Sequence, residues 1–473
     1  FARAVVPHGT GAIVTDPHEI VNVAGLAGFE ALVNASRDLP IDIHFTVPSC
    51  VPASPHETSG AVMTADLIAA ALQNDATVGL GELMSFPGVL AGDPDIHERL
   101  RVSDGHLRDG HAPGLLGHDL DAYALSGITS DHESAALEEG REKLRRGIFL
   151  MLREGSSARN ALDLLPLVND TTWPRCCFAS DDRDCAMLLS DGHMNATLRK
   201  VVAAGLDPIR AIQMCTITTA TYWRLDRIGA IAPGYWANLV ILNDLTDFGI
   251  DRVYYRGNVV AEQGTARFEV ETSIPDELRN TVHLPHLTVD DLRLPASSGT
   301  QAVGAIDGQI VTELRTVEPT IDGDEALIDI DRDLLKLVCV ERHGKTGGVG
   351  VGYVHGFGLR SGALASSIAH DAHNIVAVGT NDADILAAIT AIGETQGGLA
   401  IVQDGILIDR LPLPVAGILS DQPLETAAEI YERLEQRARD LGSTLHSPFG
   451  LLAFMALSVI PSARVTDQGF LVV

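Results

Sequence analysis

Positive charge is scarce in this chain. Lys and Arg number 34 against 63 Asp and Glu, a formal net charge of −29 at pH 7 over 473 residues. Nucleic acids and anionic membranes are gripped by basic patches, so the balance argues against both as partners. A small neutral or cationic substrate, or metal ions, fits it better. Cysteine is scarce too: six residues at irregular spacing, two of them adjacent. That is no disulfide framework and points to a reducing compartment, expected to be the cytoplasm. No apolar stretch approaches transmembrane length. The N-terminus, FARAVVPHGT, has no secretory pattern. It also lacks an initiating Met and starts in mid-pattern, so further residues are expected upstream. Nucleotide loops are missing as well. His343-Gly344-Lys345-Thr346 mimics a phosphate loop, but the first Gly of that motif would fall at Cys339. The Gly-rich run 347–358 does not fit G-x-G-x-x-G, so no dinucleotide site is expected. Cys185 and Cys215 have no basic neighbours of the kind that activate a nucleophile.

What is present is ordinary globular texture, 46% hydrophobic and 21% charged, long enough for two or three domains. From Phe1 to about Leu225 one unit repeats, a short β-rich run followed by a helical pattern. The runs are Gly11–Thr15, Ile41–Val47, Thr77–Leu80, Leu107–Gly110, Gly127–Ser130, Ile148–Leu152 and Cys176–Ala179. Alternation of this kind predicts a parallel sheet with crossover helices. A closed (β/α)8 TIM-type barrel has eight strands, so one is overlooked or lies upstream. The helical pattern over Glu133–Arg146 carries Glu139 four before Lys143 and Glu142 four before Arg146, pairs that suit an outer helix with a solvated face. Beyond Leu225, Ile228–Leu242 has a Pro-Gly turn and then a strand, and Arg252–Val260 and Thr265–Val270 predict further short strands. A Pro- and Asp-bearing connector follows over 275–298. The last part is α+β, with core strands at Leu334–Glu341 and Ile375–Gly379. A helix capped by Asn381 follows, then a hairpin around Asp404-Gly405 and an amphipathic helix over Leu424–Leu441. The expected division is 1–227 (barrel), 228–275 (small β-sandwich segment) and 299–473 (C-terminal α+β domain).

The chemistry gathers at the strand ends. Asp181 and Asp182 follow the apolar run Cys176–Ala179, and adjacent carboxylates raise each other's pKa unless a cation or a reacting proton neutralises one. Glu82 follows Gly79-Leu80-Gly81, His111 follows Asp109-Gly110, and His132 follows Thr129-Ser130-Asp131. Any one of these has a bland reading as a solvated acid or a hydrogen-bonded histidine. Parallel-barrel strand ends all face one side, however, and four ligand-type residues there form one site. Imidazole and carboxylate ligands suit Zn, Fe or Mn.

Residues 1–270 resemble the amidohydrolase superfamily and, within it, the adenine deaminase family. The matching stretches are PHGTGAIVTDPHEIVNVAG (7–25), PSCVPASPHETSGA (48–61), GLGELMSFPGVL (79–90), DGHAPGLLG (109–117), GITSDHES (127–134), REGSSARN (153–160) and SDDR (180–183). GGVGVGYVHGFGL (347–359), SSIAHDAHNIVAVGTND (366–382) and LPLPVAGILSD (411–421) are similar to that family's C-terminal domain. The resemblance implies a pair of divalent metal ions (Mn2+ or Fe2+, with Zn2+ possible) and hydrolysis of adenine to hypoxanthine and ammonia by a metal-bound hydroxide. Glu82 would bridge the ions, His111 and His132 would bind the second, and Asp181 would touch the bound water and shuttle protons. Asp182 and Glu133 become candidates for contact with the purine or for proton transfer, and Phe86 for lining the pocket. Asp16 and His18 would support the ligands from behind or form a further metal site. The family also implies a homodimer. There is no P-C-x-x-C, which excludes the cytidine-deaminase type of zinc site. One departure stands out: the superfamily's His-x-His pair is absent, since none of the 17 His has that spacing. Smaller departures are Ala179-Ser180 ahead of the Asp pair and Asn238 where the family usually has Asp. His283/His286 and His370/His373 are three apart and lie outside the barrel pattern. By spacing alone His370-Asp371-Ala372-His373 could hold a metal, whereas the resemblance implies a structural or active-site-facing loop. Another cyclic amidine or amide as substrate, and a catalytically incomplete chain, both stay open as readings.

Overall fold

The computed structural model describes residues 1–156, 158–271 and 273–473. Contacts divide the chain into two compact units. The first is Phe1–Pro17, Leu32–Cys50 and Met63–Ser273, and the second is His18–Ala31, Val51–Val62 and Ile274–Val473.

In the first unit the expected βα runs form β1 (Ala12–Thr15), β2 (Asp42–Val47), β3 (Thr77–Leu83), β4 (Leu107–Gly110), β5 (Ser130–Asp131), β6 (Phe149–Arg153) and β7 (Cys176–Ala179). β1 to β4 pair in parallel in chain order, and so do β5 to β7. Thr129 joins the two sets: its N–H donates to Arg108 O at 3.0 Å and its carbonyl accepts from Phe149 N at 2.7 Å. Among the described residues β1 and β7 do not pair with each other. The sheet is therefore open, a TIM-type barrel lacking a strand.

β6 shows how sequence builds this sheet. All five of its residues are buried, as a parallel strand covered on both faces requires. Phe149 and Met151 point to one side and pack with Leu107, Cys177 and Trp223. Leu150 and Leu152 point to the other and pack with Ala161, Leu164, Cys176, Phe178 and Val201. β4 and β5 approach closely enough that a Cβ at Gly110 would stand 2.3 Å from Ser130 O, so only glycine fits there.

Several expectations in this unit need correction: the strand expected over Gly127–Ser130 is Ser130–Asp131, and the one expected over Thr265–Val270 stops at Ala266. The helix expected over Glu133–Arg146 spans Leu137–Arg145. Residues 132–134 are held in the strand-end loop, because the Asp131 carboxylate accepts from the N–H groups of Glu133 and Ser134. Its face is not solvated throughout either, since Glu139 and Lys143 are buried. The single strand expected over Arg252–Val260 is a hairpin. An antiparallel sheet runs through β8 (Leu239–Leu242), β9 (Ile250–Tyr255), β10 (Asn258–Glu262) and β11 (Thr265–Ala266). Arg256 and Gly257, both at positive φ (50° and 84°), make the turn between β9 and β10. β8 is an edge strand with Val240 and Ile241 exposed.

The second unit is built on an eight-stranded mixed sheet. Its elements in chain order are β12 (Gln301–Gly304), β13 (Glu313–Thr316), β14 (Thr320–Asp322), β15 (Glu325–Leu327), β16 (Leu335–Val340), β17 (Val349–His355), β18 (Ala363–Ser366), β19 (Ile375–Gly379), β20 (Gly398–Gln403), β21 (Ile406–Pro412), β22 (Ala463–Thr466) and β23 (Gly469–Val472). The sheet order is β13-β12-β17-β16-β19-β18-β20-β21, while β14-β15 and β22-β23 pair separately. Both faces of β16 are covered. Leu335, Leu337 and Cys339 pack toward Ala427, Leu434 and Ala438 of the helix Leu424–Asp440. Val338 and Val340 pack toward Ile385, Ile389 and Ile392 of the helix Asp382–Glu394. The expected cap is formed, Asn381 Oδ1 accepting from Asp384 N at 2.8 Å. The expected hairpin turns through Asp404 and Gly405, both at positive φ. No helix of the described residues is long and apolar enough to cross a membrane.

Candidate metal centre

The C-terminal ends of β3, β4, β5 and β7 carry the four ligand-type side chains picked out from the sequence. Glu82 lies within β3, which runs on to Leu83, three residues past the strand end expected at Leu80. His111 directly follows β4 and His132 directly follows β5. Glu82 Oε2 lies 2.9 Å from His111 Nδ1 and 3.1 Å from His132 Nε2. The two imidazoles meet edge to face with ring centres 5.5 Å apart. Glu133 Oε1 is 3.3 Å from His132 Nε2 and 3.8 Å from His111 Nδ1. Asp181, two residues after β7 at φ 50°, brings Oδ2 to 3.7 Å from His132 Nε2. Asn and Asp tolerate that left-handed conformation better than most residues. The ligand atoms of Glu82, His111 and His132 all lie within 4.8 Å of one another, and so do those of His132, Glu133 and Asp181.

The backbone under these residues is held by buried polar groups. Tyr123 Oη accepts from His111 N at 3.0 Å and donates to Leu83 O at 2.9 Å, tying the end of β4 to that of β3. Glu82 N donates to Asp16 Oδ2 at 2.8 Å, and Ser49 Oγ donates to Glu82 O at 2.7 Å. Lys143 Nζ, fully buried, donates to Ala112 O at 2.7 Å and to Asp131 Oδ2 and Glu139 Oε1 at 2.8 Å each. It thus grips the residue after His111 and the residue before His132 with one charge. Asn160 Nδ2 donates to the carbonyls of His132 and Ser134.

Arg153, the last residue of β6, was not singled out from the sequence. Its buried guanidinium bonds to Glu133, to Asp181 Oδ2 at 2.6 Å and to Asp182 Oδ1 at 2.9 Å. The only sequence signal for it is its place at the head of the REGSSARN match. Gly155 lies against the same carboxylate, for a Cβ there would stand 2.2 Å from Asp182 Oδ1. Phe86 opens the helix Phe86–Ala91 on the loop after β3 and is half-buried. His18 opens a helix whose first turn belongs to the second unit, with Nε2 3.4 Å from Glu19 Oε1.

Charge explains the titration of the group. Burial by itself raises the Glu82 carboxyl, but His132 and His111 outweigh it and hold Glu82 well below the usual range. Burial lowers the imidazoles, and Glu82 and Glu133 reverse that, lifting His111 and, further, His132. Glu133 is held low by His111, His132 and Arg153 against its burial. Asp181, whose side chain keeps 34% exposure, ends above its ordinary value, because desolvation, Asp182 and Glu82 outweigh Arg153 and His132. Asp109, half-buried in β4, is pushed up to about 6 mainly by desolvation.

The donor set fits divalent metal. Glu82, Glu133, Asp181 and Asp182 gather about one fixed cation, Arg153, so neutral imidazoles leave an excess of negative charge in a partly shielded site. Two imidazole nitrogens and converging carboxylate oxygens are what Zn2+, Mn2+ or Fe2+ accept. Water made acidic by such an ion is a nucleophile near neutral pH.

Comparison with known proteins agrees with this chemistry. The amidohydrolase family model matches residues 1–260, and the adenine deaminase C-terminal domain model matches 309–473. With the ligand-bearing ends of an open parallel sheet, these matches define the class as a metal-dependent amidohydrolase. An adenine deaminase of Dehalococcoides mccartyi (strain 195) is 47% identical over 470 residues, 99% of this chain and 82% of the relative. Adenine deaminase 2 of Carboxydothermus hydrogenoformans is 44% identical, covering 99% of this chain and 83% of the relative. The adenine deaminase of Syntrophobacter fumaroxidans is 43% identical, covering 100% of this chain and 82% of the relative. The chain belongs to the adenine deaminase family and is an enzyme of that type.

Proposed function

We propose that the substrate is adenine and that the products are hypoxanthine and ammonia, water adding at C6 and the exocyclic amine leaving. The observation that carries this reading is the convergence of Glu82, His111, His132 and Asp181 at one end of the sheet in a chain of this family. We assign Glu82, His111, His132 and Asp181 as ligands of two divalent ions, Mn2+ or Fe2+, which when bound supply water acidic enough to react at neutral pH. The chain's own residues do the rest. Asp181 takes the proton released by water and delivers it to the departing amine, a role suited to a carboxyl whose pKa is raised. Arg153 holds Glu133 and Asp182 as oriented anions. Asp182 and Glu133 are thereby placed to accept hydrogen bonds from purine N–H groups, and Phe86 is assigned to the apolar face of the ring pocket. Asp16 acts through the Glu82 backbone as a positioning residue.

We assign 1–227 to the catalytic barrel, 228–275 to the β segment and 299–473 to the C-terminal domain. A cytoplasmic homodimer completes the reading. Six free cysteines suit a reducing compartment, and sedimentation equilibrium tests the dimer. The test of function is ammonia release from adenine with Mn2+ or Fe2+ supplied, profiled beside adenosine, guanine, cytosine and cyclic imides. Adenine should be turned over with the highest kcat/KM. Turnover of a cyclic imide in its place would refute the substrate assignment while keeping the amidohydrolase chemistry.

A further inference from the structure

A second convergence of ligand-type side chains lies wholly inside the second unit. The loop between β18 and β19 presents His370, Asp371 and His373 to Glu19. Glu19 Oε1 is 2.5 Å from His370 Nδ1 and 3.4 Å from His18 Nε2, while its Oε2 bonds to His373 Nε2. The ligand atoms of Glu19, His370 and His373 lie within 4.8 Å of one another, and those of His18, Glu19 and Asp371 do the same.

The loop is fixed from outside. Arg342, fully buried, donates to His373 O and, at 3.0 Å, to Ala416 O. His343 Nε2 meets Ala372 O at 2.8 Å. Asn374 Nδ2 donates to Thr58 O at 3.0 Å, and His370 N donates to Ala453 O at 2.9 Å. The His370 ring stacks on Phe454 with centroids 4.6 Å apart. Ligands supported in this way are what a metal site needs.

Tautomers sort the histidines. Ala369 N donates to His373 Nδ1 at 3.2 Å. A backbone N–H can only donate, so Nδ1 keeps its lone pair and Nε2 carries the proton, which it gives to Glu19 Oε2. His373 therefore orients the carboxylate and is no ligand itself. Glu19 Oε1, His370 Nδ1, His18 Nε2 and the Asp371 carboxylate remain, two nitrogens and two oxygens. We propose that Glu19, His370, His18 and Asp371 bind a first-row divalent cation, Zn2+ or Mn2+ by the ligand set, at a site separate in its residues from Glu82, His111, His132 and Asp181.

Metal-stripped chain would be reloaded with Co2+, and bound cobalt counted by mass spectrometry and by ligand-field absorption. Glu19→Gln and His370→Asn should each hold one equivalent less than the parent, while His373→Asn should hold as much as the parent. Parent-like cobalt content in both Glu19→Gln and His370→Asn would overturn the site. Loss of an equivalent in His373→Asn would overturn the ligand assignment. Should the variants fail to fold, anomalous diffraction at the cobalt edge from the unmodified chain decides. A peak between Glu19 and His370 supports the site, and its absence refutes it.

Discussion

Lys143 ties the loops after β4 and β5 together through Ala112, Asp131 and Glu139. Replacing it by Met keeps most of the volume and removes the charge that faces Asp131 and Glu139 at 2.8 Å each, all three being buried. Breaking a buried ion pair by deleting one partner costs about 3–5 kcal/mol, because the other charge is left uncompensated. Here the lower end applies. Asp131 keeps the N–H groups of Ala112, Glu133 and Ser134, and Glu139 keeps those of Gly114 and Ala135. A cost of about 3 kcal/mol in a unit of this size lowers Tm by roughly 6–12 °C. The assay is differential scanning calorimetry of the full chain at pH 7, read on the transition of the first unit. The same variant should lose ammonia release, since Lys143 holds the residues flanking His111 and His132, and a misplacement of about 1 Å can cost on the order of 10²-fold. The triple variant that adds Asp131→Asn and Glu139→Gln should regain part of the stability. A Tm for Lys143→Met within 2 °C of the parent would refute the view that this charge holds the strand-end loops.

Three other outcomes follow from the same geometry. Asp181→Asn should fold normally and lose about 10²–10⁴-fold in kcat, the range for a proton-transfer group; near-normal kcat would remove Asp181 from that role. Arg153→Met should lower kcat/KM for adenine by about 10²-fold through misorientation of Glu133, Asp181 and Asp182, with Arg153→Lys recovering little because one ammonium cannot replace the fork; steady-state kinetics reads both. His193 is pushed down to about 4 by burial, with Arg183 and His8 adding to the effect. The unfolded chain binds a proton below about 6.5 that the folded chain refuses, so stability is full above pH 6.5 and falls between pH 6.5 and 4, by about 2 kcal/mol at pH 5. Denaturant melts of His193→Asn should show a correspondingly shallower loss on acidification, and a slope equal to the parent's would refute it.

Much of the site was legible from strand ends alone. A βα repeat dictates that Glu82, His111, His132 and Asp181 share one face, whatever the loops between them do. The same pattern misled at Glu139 and Lys143. Their i,i+4 spacing is what an exposed helical pair shows, and nothing local reveals that Asp131 completes a buried triad. Arg153 was missed because an Arg ending an apolar strand has many ordinary readings. Only the approach of β5 and β7 to either side of β6 places Glu133, Asp181 and Asp182 around it.

Most of the elements, the βα alternation and the residue types at the strand ends could be read along the chain, because side-chain periodicity and turn chemistry are local properties. The family could be read there as well, through long matched stretches. Partnership between distant residues came only with packing. Glu19 meets His370 and His373 across more than 350 positions, and one guanidinium serves three carboxylates from two loops. Such pairings depend on how layers pack, and packing is set by the sum of many buried contacts rather than by any spacing along the chain.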